Sequence, residues 1–175
     1  MAAPALESIA RAYAGRGIAS VFVYTREAHP GEHFPAHRSL DQKVAHARAF
    51  QERFAIERPI LVDGLAGTGH TLYGALPNMT YLIGRGGRVL FRADWTDPAT
   101  IETALRYVLD ARDRRREGLV LKPFYAEFVG YRWSDQDAFD AGLTLAGPQA
   151  VEDFARAMAR WRGQGPVPGR VQVGE

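Results

Sequence analysis

The sequence predicts an α/β layer fold, a mixed sheet flanked by helices, with a helical extension at its C-terminal end. Three observations carry that prediction. Helical periodicities and short β-prone runs follow one another in the order helix, strand, helix, strand, hairpin, helix, so the sheet is parallel first and antiparallel at its end. The first strand runs into Val21-Phe22-Val23-Tyr24 and is apolar on both faces, which suits a strand covered on both sides. Beyond Gly118 the pattern changes to an aromatic-rich stretch and two further helical periods.

Taken in order, Leu6, Ile9 and Tyr13 recur at helical spacing and Gly15 to Gly17 ends the run, so residues 4 to 15 read as a short amphipathic helix. Residues 18 to 24 read as the first strand. Ser39 is placed to cap a helix whose inner stripe is Leu40, Val44, Ala47, Phe50 and Phe54, with Lys43, Arg48 and Glu52 outside. Pro59 opens a second strand, Ile60 to Val62, and a turn-rich connection follows with a helical turn around Thr71 to Tyr73. Thr80 to Ile83 and Arg88 to Ala93 flank the glycine-rich turn 84 to 87 and predict a β-hairpin. Thr96-Asp97-Pro98 starts a helix with Ile101, Leu105, Val108 and Arg112 along one face, closed by Gly118. Tyr125, Tyr131 and Trp133 are assigned to packing of the extension. Ser134 caps a helix to Ala146, and Gly147-Pro148 starts another with Val151, Phe154, Met158 and Trp161 on one face. The expected organisation is therefore an α/β domain over 1–117, a helical extension over 119–162 and a loose tail over 163–175.

Composition narrows the function classes. With 46% hydrophobic and 24% charged residues the chain is too apolar for disorder, and 175 residues suffice for one core plus an appendage. The 22 basic and 20 acidic side chains give a net charge of only +2, and the basic residues are scattered apart from Arg112 to Arg116, so nucleic acid is not an expected partner. That cluster, with Asp113 among it, reads as a solvated helix end favourable to the dipole. No apolar run reaches the roughly 18 residues that span a bilayer, and Glu7 and Arg11 interrupt the first fifteen residues against a secretory leader. No membrane partner and a cytoplasmic location are the expectations. The absence of cysteine excludes disulfides, thiolate metal sites and a cysteine nucleophile within these residues.

The candidate site is the loop after the first strand, which crowds Glu27, His29, Glu32, His33 and His37 where α/β sheets collect their chemistry, beyond the carboxyl ends of strands. Glu27 and His29 share one face of an extended segment, and imidazole titrates nearest neutrality. The plainer reading is that Glu27 satisfies loop amides and His37 caps the helix at Ser39. His29, His33 and His37 recur every four residues, yet Pro30, Gly31 and Pro35 break any helix that would align them, so no metal is expected. Gly84 to Gly87 reads as a hairpin turn and not as a phosphate loop.

Several segments together resemble the iodothyronine deiodinase family, a branch of the thioredoxin-fold redoxins. They are Val23-Tyr-Thr-Arg-Glu-Ala-His-Pro30, His37-Arg-Ser-Leu-Asp-Gln-Lys43, Ile60-Leu-Val-Asp63, Tyr73-Gly-Ala-Leu-Pro77 and the hairpin Thr80 to Ala93. The resemblance covers roughly residues 5 to 110 in the family's order. It implies a thioredoxin-like fold and a selenol- or thiol-dependent oxidoreductase acting by reductive dehalogenation or by peroxide or disulfide reduction. It implies that Glu27 and His29 relay a proton, that His37 meets a phenolic hydroxyl, and that Leu76 and a cis Pro77 lie opposite the redox residue and bind substrate. No bound cofactor is implied, only an external thiol reductant, and the substrate is a small halogenated phenol, a peroxide or a thiol/selenol compound, since a fold does not choose its ligand. The family's selenocysteine or cysteine and its first strand are absent from these residues, and that strand is expected between the strands at 18–24 and 60–62. The resemblance thus suggests that the protein starts upstream of Met1, with a selenocysteine codon just ahead of Met1 that was read as stop. The alternative is a non-catalytic thioredoxin-fold binding or assembly module, which admits a homodimer.

Overall fold

The computed structural model describes residues 3–74, 76, 78–119 and 135–163. They form two compact units: residues 3–26 with 37–119, and residues 27–36 with 135–163. Among the described residues no helix is long and apolar enough to cross a membrane.

The first unit is mixed α/β. It contains α1 (Ala3–Ala14), β1 (Phe22–Tyr24), α2 (Leu40–Arg53), β2 (Ile60–Val62), α3 (Thr68–Leu72), β3 (Thr80–Ile83), β4 (Val89–Ala93) and α4 (Pro98–Arg116). The strands form two separate two-stranded sheets, which corrects the expectation of one mixed sheet. β1 and β2 are parallel, with Val23 opposite Leu61, and β3 and β4 are antiparallel, with Leu82 opposite Phe91 and an irregularity at Ile83.

The expectation of a strand between 18–24 and 60–62 is also corrected, because those two segments pair with each other directly. Phe22 N–H donates to the Pro59 carbonyl at one end of the ladder, and Asp63 N–H donates to the Tyr24 carbonyl at the other. β1 is also shorter than 18–24, and nearby Ser20 accepts from Arg58 Nη1. One face of the ladder is covered, since Phe22 and Tyr24 lie 5.1 and 6.0 Å from the Phe50 ring of α2. The other is open: Val23 and Leu61 are 48% and 54% exposed, so β1 is not buried on both faces as its composition suggested.

The caps explain where the helices begin. Ser39 Oγ accepts from Gln42 N–H while Gln42 Oε1 accepts from Arg38 N–H, a close variant of the reciprocal capping box. Asp97 accepts from Thr100 N–H with Pro98 in the first turn, and Ile101, Leu105 and Leu109 of α4 are buried. At its C-terminal end α2 closes as a Schellman turn, with Ile56 N–H on Gln51 and Ala55 N–H on Glu52. Ala55 takes the left-handed position at φ 48°, where glycine is the usual occupant.

An ion pair with both side chains only 10% exposed belongs to this unit. Glu7 of α1 is 8% exposed. Its Oε1 accepts from the Glu57 and Arg58 amides, and its Oε2 lies 3.1 Å from Arg58 Nε. Arg58 also donates to Ser20 Oγ and sits 5.4 Å over the Phe22 ring. This network ties α1 to the segment leading into β2.

The second unit contains α5 (Gln136–Ala146) and α6 (Pro148–Gly163) together with the segment 27–36. Asp135 caps α5 by accepting from Ala138 N–H. Ser134, Tyr125, Tyr131, Trp133 and the tail beyond Gly163 lie outside the described residues.

Candidate functional site

In the first unit the polar groups gather at the carboxyl ends of β1 and β2, where the parallel ladder directs them. Tyr24 ends β1 and is buried; its ring lies 5.8 Å from that of His37. His37 precedes the Ser39 cap by two residues, and its ring lies 5.1 Å from that of His46, one turn beyond Lys43 on α2. His46 is 9% exposed.

Lys43 corrects the reading of α2. It was expected outside, yet at 2% exposure it is the most deeply buried large side chain among the described residues, whereas Leu40, expected inside, is 51% exposed. The inner face is therefore Lys43, His46 and Ala47, with Phe50 continuing it one turn on. Lys43 Nζ donates to the Gly64 carbonyl at 3.1 Å. Burial holds its pKa below the ordinary lysine value, and the charge of Asp63 opposes that shift only in part.

Asp63 follows β2 directly and accepts from the Gly69 and His70 amides, both at 3.0 Å. These bonds, His70's first, hold its pKa below the usual carboxylate range, with Lys43 adding to the effect. A Cβ at Gly69 would sit 2.9 Å from Asp63 Oδ1, so a larger residue there would make the carboxylate shift. His70 Nε2 in turn donates to the Leu76 carbonyl. Leu76, expected to bind substrate, thus has its carbonyl engaged by His70 and its residue 43% exposed. Pro77 lies outside the described residues.

Of the three catalytic candidates, His37 stands in the first unit, and Glu27 and His29 stand in the second. His29 is set edge-on to Phe139 and Phe154, at 6.3 and 5.2 Å, with Nδ1 3.9 Å from Asp153 Oδ2. Both oxygens of Glu32 accept from Gln149 N–H in the first turn of α6, where negative charge suits the dipole. His33 donates from its backbone to Ala146 and from Nδ1 to Leu145, closing the carbonyl end of α5. Gly31 lies so close to the Ala146 carbonyl that a Cβ would overlap it. Much of the polar loop therefore caps two helices whose partners are more than a hundred residues away in sequence.

Sequence reasoning missed Lys43 and His46 as members of the inner face. The available signal was their spacing with Ala47 and Phe50, overridden there by the polarity of both side chains. A cleft of about 380 Å³ lined by Tyr13, Arg16, Arg106 and Asp113 lies along α1 and α4, with its arginines already paired to Asp113 and Glu102.

No family model, curated protein or solved structure matches the chain.

Proposed function

We propose that the chain is a deiodinase-like, redoxin-type oxidoreductase domain of thioredoxin-like fold, in which its own residues handle protons and a selenol or thiol is supplied from outside the 175 residues. The supporting observation is the imidazole of His37 beside Tyr24 and His46 at the carboxyl end of β1. In reductive dehalogenation of a halogenated phenol, a thiolate or selenolate takes the halogen and the ring carbon takes a proton. A second thiol then releases halide and forms the disulfide, or the selenenyl sulfide where a selenolate took the halogen, so the two chalcogen groups supply the two electrons. An imidazole near neutrality suits the proton donor or the partner of the phenolic hydroxyl. By resemblance Glu27 and His29 belong to the same relay, and Leu76 and Pro77 to substrate binding.

The test is halide release from an iodinated phenol in the presence of a small selenol and excess dithiothreitol. Release above the protein-free rate, lowered about 100-fold by His37→Gln, is the expected outcome, since positioned general acids contribute on the order of 10²–10⁴. A rate equal to background, or one indifferent to His37→Gln, overturns the reading.

The open face of Val23 and Leu61 favours a second reading, a binding or assembly module. It expects self-association that Val23→Lys abolishes while the fold is retained, measured by light scattering.

A further inference from the structure

We infer that His37 and His46 form a binding site for a borderline divalent metal ion of the zinc, nickel or copper class. The reading stands apart from the dehalogenase proposal, because it concerns metal affinity and not turnover.

The argument begins with geometry. Two imidazoles bound to one tetrahedral ion, at metal–nitrogen distances of about 2.0–2.1 Å, hold their ring centroids roughly 5 Å apart and their ligating nitrogens about 3.3 Å apart. The rings of His37 and His46 have centroids 5.1 Å apart and planes inclined at 56°, so they are neither stacked face to face nor splayed. A ring nitrogen of one lies within 4.8 Å of a ring nitrogen of the other. Closing that gap takes at most about 1.5 Å, within the reach of side-chain torsions.

The sequence context makes the adjustment one-sided. His46 sits in the body of α2 at 9% exposure and is fixed by the helix. His37 lies ahead of the cap, outside the helix, where its torsions are free of the preceding turn. One rigid and one adjustable imidazole is an arrangement that can tighten around an ion. Both ligands are imidazoles, which select zinc, nickel and copper over magnesium or calcium. Two protein ligands leave the remaining positions to water or to a small anionic ligand. The histidine triplet suggested by spacing, His29, His33 and His37, is not this site: His29 and His33 are engaged with α5 and α6 in the second unit.

Isothermal titration of the full chain with zinc chloride at pH 7.5, and visible spectroscopy with cobalt(II), test the assignment. One ion per chain with micromolar affinity is expected, weakened at least tenfold by His37→Ala and by His46→Ala and unchanged by His29→Ala with His33→Ala. Because His46→Ala empties a buried position, His37→Ala, checked by circular dichroism, carries the test alone. Binding should also weaken as pH falls, as imidazole must be neutral to ligate. Affinity no tighter than millimolar, or tight binding that survives His37→Ala, overturns the proposal.

Discussion

Replacing Glu7 by Gln tests the buried ion pair that joins α1 to the entrance of β2. The amide keeps the acceptor for the Glu57 and Arg58 N–H groups but leaves the Arg58 guanidinium without its counter-charge. Both side chains are only 10% exposed, so water cannot substitute. Nε and Oε2 are 3.1 Å apart but make no aligned hydrogen bond, so the attraction between those two atoms is chiefly Coulombic. Breaking one side of such a pair costs about 3–5 kcal/mol. The lower end, about 3 kcal/mol, applies here, because Arg58 keeps Ser20 Oγ and the Phe22 ring. For a chain of this length that is a fall in Tm of roughly 6–12 °C. Urea titration of wild type, Glu7→Gln, Arg58→Met and the double variant measures the coupling, which should reach about 1.5–3 kcal/mol, with the double variant recovering part of the loss. A loss below about 1 kcal/mol for Glu7→Gln, with additive single variants, would refute the reasoning and mean that the pair is solvated.

Asp63, whose pKa is held low in the folded state, contributes stability that is complete above its unfolded pKa near about 3.9 and is lost as pH falls through the lower folded value. Asp63→Asn should therefore be less stable than wild type at pH 7, by about 1–3 kcal/mol, and the difference should shrink in urea titrations below pH 4; a difference independent of pH would contradict the assignment. Ala55→Gly, at φ 48° in the turn that ends α2, should raise stability by about 1 kcal/mol in the same titration, whereas a loss would mean that the left-handed position is not strained.

The order of elements, the caps at Ser39 and Asp97 and the hairpin turn were legible in the sequence, because periodicity and capping act over three or four neighbouring residues. The loop 27–36 was legible as polar and special, but not in its engagements. Glu32 and His33 look like site residues until α5 and α6 supply the helix ends they cap. Equally, nothing local marks Glu7 or Lys43 as inside. Each is buried only because a partner distant in the chain, Arg58 for one and the Gly64 carbonyl beside Asp63 for the other, offsets its desolvation. That choice rotated α2 to bring His46 toward His37, and it left Leu40 exposed. The sequence by itself determined the local elements and the residue types available for chemistry. Only the tertiary structure decided the two-sheet pairing and which charges are buried, since both depend on groups that meet across long stretches of chain.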